Sequence, residues 1–186
     1  MQFTVFDTPF LSGLGRIWAH LFLGIIGWKK EGKLPDLPKF VLIAAPHTSN
    51  WDLPIMLALG FLFHGSLFWM MKESAFRPPF GYFFKWLGGI PIDRSKTNGV
   101  VGQCIDTFSK HEEFILVVPP EGTRKKVRAW KTGFYHVAAG ADVPIALGYL
   151  DYKRRRGGVN KVFYPTGDYE KDIQEIQSFY KTITAK

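Results

Sequence analysis

The sequence predicts an α/β fold: a single mixed, largely parallel sheet flanked by helices, with an amphipathic, interfacial helix at the N-terminus. Three observations predict it. Short apolar runs alternate with helical patterns from residue 40 to the end of the chain, as strand–helix–strand units do. His47, Lys72, Arg94, Glu121 and Arg124 each follow an apolar run directly, and open α/β sheets collect ligands at the carboxyl ends of their strands. With 186 residues, one domain can bury a core without help from disulfides or metals.

Composition narrows the function classes. The formal charge of +8 points to a polyanionic partner: a nucleic acid, an acidic membrane surface or a phosphorylated substrate. Aromatic residues make up 16% of the chain, and many stand outside the apolar runs, which favours a lipid-facing surface over a nucleic-acid groove. No nucleic-acid-binding module signature is present. The single cysteine, Cys104, excludes an intramolecular disulfide and fits a reducing compartment. It falls within a helical pattern and reads as a small core residue.

Taken in order, the elements begin with Thr8-Pro9, a capping residue followed by proline, which predicts a helix start. From there to Trp28 the chain is almost wholly apolar, with Ser12, Arg16 and His20 forming one narrow polar stripe. Arg16 and His20 would be costly near the middle of a bilayer. A helix lying in the membrane interface, with Lys29 and Lys30 among the headgroups, is expected instead; packing on the protein's own core is the rival. It does not read as a secretory signal. Residues 1–32 are therefore set apart as a membrane-associating segment, and 33–186 as the catalytic domain.

Strands follow at 40–45, 66–71, 90–92, 114–118, 145–150 and, more weakly, 159–163. Helices are expected after the His47 turn to about 63, over the aromatic segment 76–87, at 98–110, up to Gly140 and from 169 to about 184. Gly88-Gly89 stops the aromatic helix.

His47-Thr48-Ser49-Asn50-Trp51-Asp52 places a histidine in a turn and an aspartate at a helix start. A turn that folds back brings the carboxylate onto one imidazole nitrogen and leaves the other as an acceptor, the His–Asp half of a triad. No Ser or Cys stands as a third member, so the hydroxyl to be deprotonated belongs to a substrate. Taken alone, such a pair is more often a turn and a cap.

With these residues in view, the chain resembles the glycerolipid acyltransferases typified by bacterial 1-acylglycerol-3-phosphate acyltransferase. The first family block, HX4D, matches residues 47–52. The second matches Gly88-Gly89-Ile90-Pro91-Ile92-Asp93-Arg94, the third Pro120-Glu121-Gly122-Thr123-Arg124, and the fourth Val143-Pro144-Ile145. Lys72-Glu73 and Lys131-Thr132-Gly133 also look like family features. The resemblance implies that His47 is the general base and that Asp52 orients and charges it. It implies that Arg94 binds the acceptor's phosphate with its planar fork, and that Glu121, Gly122, Thr123, Arg124 and Lys72 help form the substrate site. The chain departs from the family pattern at Lys125, at Pro119 before the third block, and in its short length.

The implied reaction moves a fatty acyl group from an acyl thioester to the free hydroxyl of a lysophospholipid, 1-acylglycerol-3-phosphate first. Acyl-CoA or acyl carrier protein serves as co-substrate and no further cofactor is implied. Lyso-ornithine lipid is an alternative acceptor, and a non-catalytic module binding anionic lipid is the alternative class. The expected partners are an anionic membrane surface, the lysolipid and the thioester donor, not nucleic acid. The expected location is peripheral or monotopic, on the cytoplasmic face of a membrane. No metal site is expected: His111-Glu112-Glu113 reads as a solvated helix end, and His64 and His136 as ordinary helical histidines. The basic run at 153–156 is a solvated loop that is also able to hold donor phosphates or headgroups.

Overall fold

Seven strands form one sheet in the order β1-β7-β6-β2-β5-β3-β4, and only β6 and β7 pair antiparallel. In this computed structural model, residues 4–93, 95, 99–123, 127 and 129–185 are described. The elements are α1 (Leu11–Ile25), β1 (Lys29–Gly32), β2 (Lys39–Ala45), α2 (Asp52–Phe63), β3 (Leu67–Lys72), a 3-10 turn at Glu73–Phe76 and α3 (Gly81–Leu87). They continue with β4 (Gly89–Ile92), α4 (Gly99–Lys110), β5 (Phe114–Val118), α5 (Gly133–Gly140), β6 (Ile145–Asp151), β7 (Arg156–Phe163) and α6 (Tyr169–Tyr180). The expected α/β sheet is present.

Strands β6, β2, β5, β3 and β4 are mutually parallel, so their carboxyl ends share one edge. Both faces of the central strands β6, β2 and β5 are covered, which is why they read as continuous apolar runs without alternation. On one face, Val41, Ile43, Leu116, Val118, Ile145 and Leu147 pack against α4, α5 and α6 through Phe108, Phe134 and Ile176. Phe40, Leu42, Val117 and Ala146 line the other face, beside α2, on which α1 lies through Ala19, Leu23, Ile55 and Leu59. Cys104 is buried in the first of these layers, and burial pushes its thiol up to about 11, as suits a core residue.

Several boundaries differ from expectation. The strand Lys29–Gly32 has no apolar alternation to announce it, because it is an edge strand with three exposed residues. Its register instead comes from β7, where Gly158 meets it so closely that an added Cβ would lie 2.2 Å from the Glu31 carbonyl oxygen. The same contact explains why β7 starts at Arg156, ahead of its apolar part. Helix α1 begins three residues after Thr8 because Phe10 takes a left-handed conformation (φ 65°). Thr8 bonds to the Thr4 carbonyl and receives the Trp86 indole N–H, so it ties the N-terminal segment to α3. The aromatic segment splits into the 3-10 turn and α3.

Helix α1 packs on the protein's own core along one side and leaves apolar side chains exposed along the other. One side packs on α2, where Trp18 meets Phe61 edge-on, while Phe10, Leu14, Ile17, Leu21 and Ile25 are exposed, Ile25 to 85%. At 15 residues it is about 22 Å long, short of a bilayer's hydrocarbon core. Among the described residues no helix is long and apolar enough to cross a membrane.

Candidate active site

His47 leaves the end of β2, and the next five residues fold back so that Asp52, the first residue of α2, faces it. His47 Nδ1 stands 2.9 Å from Asp52 Oδ2. That oxygen also accepts the backbone N–H groups of Thr48 and Ser49, each at 3.0 Å. The other carboxylate oxygen accepts the Tyr152 hydroxyl. Ser49 Oγ accepts the Trp51 N–H at 3.1 Å, which closes the turn. Five residues of spacing thus become a contact through main-chain donors, with the carboxylate at a helix N-terminus where negative charge is favoured.

Burial alone would make Asp52 harder to ionise. The hydrogen bonds from His47, Tyr152 and the Ser49 N–H outweigh it and hold the carboxyl below the usual range. Asp52 is therefore a carboxylate and Nδ1 its donor, which leaves Nε2 as the acceptor. The His47 side chain is 26% exposed and the Asp52 side chain 6%, so the pair is buried on one side and open on the other.

Glu121 arrives from the loop after β5, the strand beside β2. Its Oε1 accepts the His47 backbone N–H at 3.2 Å, pinning the turn. Its Oε2 is buried and has no partner among the described residues. Burial pushes this carboxyl up, the Asp52 charge adds to the effect, and backbone N–H donors oppose it. Gly122 sits at φ 62° with the Lys131 side chain against it: a Cβ there would lie 2.8 Å from that chain. Lys131 N–H returns to the Pro120 carbonyl at 2.8 Å and closes the loop.

These residues border a cavity of about 1170 Å³. His47, Asp52, Gly122, Thr123, Lys131 and Thr132 line it at the strand edge. Its deeper lining is apolar, with Leu42, Ala44, Met56, Leu59, Phe63 and Val159 drawn from the sheet and α2. The half-open side of His47 thus faces a space whose deeper walls are apolar.

Of the residues predicted from sequence, the structure brings together His47, Asp52, Glu121, Gly122 and Thr123. Lys72 ends β3, two strands from β2, and is exposed and outside the cavity lining. Arg94 and Arg124 lie outside the described residues. Asp93 accepts hydrogen bonds from Ser95 N and Oγ at 2.9 and 2.6 Å. The basic run is partly consumed internally: Arg154 pairs with Asp151 at 2.8 Å and with Glu31 at 3.5 Å, and Arg156 with Glu31 at 3.4 Å. His64, His111 and His136 have ordinary partners in Arg16, the Thr107 carbonyl and the Tyr169 ring. Among the described residues no three His, Cys, Asp or Glu side chains gather as a metal site. Sequence reasoning missed Tyr152, whose one signal was its place directly after a strand, as with His47.

A buried-on-one-side His–Asp pair at the sheet edge, with the glutamate loop behind it, is the geometry against which known proteins are compared. The Acyltransferase family model matches residues 29–146, and the chain belongs to that family. It is 27% identical over 154 residues to a 1-acyl-sn-glycerol-3-phosphate acyltransferase of Haemophilus influenzae, covering 77% of this chain and 62% of that protein. It is 29% identical over 148 residues to the Escherichia coli protein of the same name, covering 69% and 56%. The chain thus spans roughly three-fifths of the length of these curated relatives. The crystal structure of the 1-acyl-sn-glycerophosphate (LPA) acyltransferase PlsC from Thermotoga maritima superposes with a TM-score of 0.65 at 17% identity. That match covers 92% of this chain and 77% of the other, and shows a shared fold.

Proposed function

We propose that this protein is an O-acyltransferase that moves a fatty acyl group from an acyl thioester to the free hydroxyl of a lysophospholipid, 1-acylglycerol-3-phosphate foremost, giving phosphatidate. The observation that carries this reading is the His47–Asp52 pair opening onto the cavity under α2. His47 Nε2 takes the proton of the acceptor hydroxyl as its oxygen attacks the thioester carbonyl carbon. The carbon–sulfur bond then breaks, and the imidazolium returns the proton to the leaving thiolate. Asp52 balances the imidazolium charge while it exists. The apolar wall of Leu42, Met56, Leu59 and Phe63 suits the acyl chain. Lys131 at the mouth suits an anionic headgroup, together with Arg94 and Arg124 as the family resemblance implies. Acyl-CoA and acyl carrier protein are both donors this reading admits, with no other cofactor.

An acceptor panel tests it. Thiol release from palmitoyl-CoA in detergent micelles is expected to rise with lysophosphatidate and to stay at the no-acceptor level with glycerol 3-phosphate. A rise with lyso-ornithine lipid alone would move the proposal to that acceptor. No rise with any hydroxylated acceptor, from either donor, would contradict transfer.

The same reading places the protein peripherally or monotopically on the cytoplasmic face of a membrane, with α1 in the interface. The outer face of α1 carries Phe10, Leu14, Ile17, Leu21 and Ile25 exposed, and Lys29 and Lys30 follow its end. Each large side chain moved from water into hydrocarbon contributes about 1.5–3 kcal/mol, and basic residues near anionic headgroups about 1 kcal/mol each. Leu21→Glu is expected to fold normally, because Leu21 is 62% exposed, and to lose most of its flotation with anionic vesicles. Flotation equal to wild type would remove α1 from the membrane contact.

A further inference from the structure

We propose that Tyr152 is a positioning residue for the His47–Asp52 pair, its hydroxyl fixing the carboxylate so that Oδ2 stays on the imidazole. The proposal builds on the acyl-transfer reading, in which His47 is the base. Asp52 Oδ2 is already shared by three donors: His47 Nδ1, Thr48 N–H and Ser49 N–H. Among the described residues, Tyr152 supplies the side-chain donor on Oδ1. A carboxylate held on one oxygen only can swing about its terminal torsion, which is broad and two-fold. A donor on the second oxygen stops that swing.

The fold delivers this donor from a distant part of the chain. Tyr152 directly follows β6, and β6 is the neighbour of β2, which carries His47. Its ring is packed edge-on against Trp28 at 5.0 Å, at the corner between α1 and β1. Burial pushes the phenol's ionisation up, and the Asp52 charge pushes it further, so the group remains a protonated donor wherever the enzyme works. Neither Tyr152 nor Trp28 lines the cavity. Tyr152 therefore acts on the reaction through Asp52 and does not touch the substrate.

The consequences have a definite sign. Without the hydroxyl, the carboxylate holds a proton more tightly and the protonated form of the His–Asp pair is favoured. Activity would then be lost at a higher pH on the acid side. Tyr152→Phe keeps the ring against Trp28 and removes only the donor. We expect it to fold as wild type does with a slightly lower melting temperature, to lose about tenfold in kcat with KM for donor and acceptor unchanged, and to move the acid limb of the kcat–pH profile to higher pH. A role confined to packing would leave Tyr152→Phe silent and show instead in Trp28→Leu.

A second readout does not depend on turnover. The low-field proton resonance of the His47 Nδ1–H bonded to Asp52, recorded in detergent-solubilised protein, is expected to shift or broaden in Tyr152→Phe. A resonance and an acid limb both superimposable on wild type would overturn the proposal. Full turnover in His47→Ala would instead sink the acyl-transfer reading, and the resonance would still decide whether Tyr152 positions Asp52.

Discussion

His47→Ala is expected to lower kcat by about 10²–10⁴-fold while leaving the fold intact and KM for both substrates near wild type. The magnitude is that of removing a positioned general base. The hydroxyl of a lysolipid is a poor nucleophile at neutral pH, and no other base among the described residues is placed to serve it. Glu121 is turned away from that task, since one of its oxygens is bonded to the His47 N–H and the other is buried. Structural tolerance follows from the half-open position: the imidazole is 26% exposed and pairs with Asp52, and the backbone bond from residue 47 to Glu121 survives the substitution. Steady-state kinetics with both substrates varied, beside a thermal melt, checks both halves of the expectation.

Asp52→Asn is expected to cost activity on the same scale and, unlike His47→Ala, to cost stability as well. Asparagine keeps an acceptor for Thr48 and Ser49 and can turn its amide group toward the Tyr152 oxygen, so the turn has a way to persist. The negative charge is lost, and with it the partner of the imidazolium formed when the acceptor hydroxyl gives up its proton. Four charge-assisted hydrogen bonds, from His47, Thr48, Ser49 and Tyr152, become neutral ones, at a cost of about 1–3 kcal/mol in all. The pH dependence follows from the folded carboxyl lying below its ordinary range. Such a group stabilises the fold fully above its unfolded pKa, and the contribution disappears as pH falls through the folded value. The melting temperature of the variant should therefore lie below wild type at neutral pH and converge on it in acid. A gap that widened on acidification would contradict this assignment of charge.

How much of this was legible in the sequence depends on where the signal was carried. The central parallel strands β2, β5 and β6 were legible because burial on both faces leaves unbroken apolar runs such as Phe40-Val41-Leu42-Ile43. The His47–Asp52 contact was legible only as a chemical pairing. The reason that five residues close into 2.9 Å is the pair of backbone donors at Thr48 and Ser49, which no side-chain pattern encodes. Strand β1 was not legible, since Lys29-Lys30-Glu31-Gly32 owes its conformation to the backbone of β7. Helix α1 gave one apolar pattern that serves two surfaces, and only its packing on α2 separates Leu23, buried, from Ile25, exposed. Tyr152 lies 100 residues from the aspartate it bonds. A contact at that separation is visible only after β6 and β2 are placed side by side.

The central claim is that His47 directs an acyl group from thioester to lipid hydroxyl, and the most direct test counts both products in one vessel. Palmitoyl-CoA and labelled lysophosphatidate are mixed with the protein in micelles, and free thiol and labelled phosphatidate are measured over time. The account predicts equal amounts of each from wild type and neither above background from His47→Ala. Thiol released without phosphatidate, or phosphatidate formed equally well without His47, would contradict it.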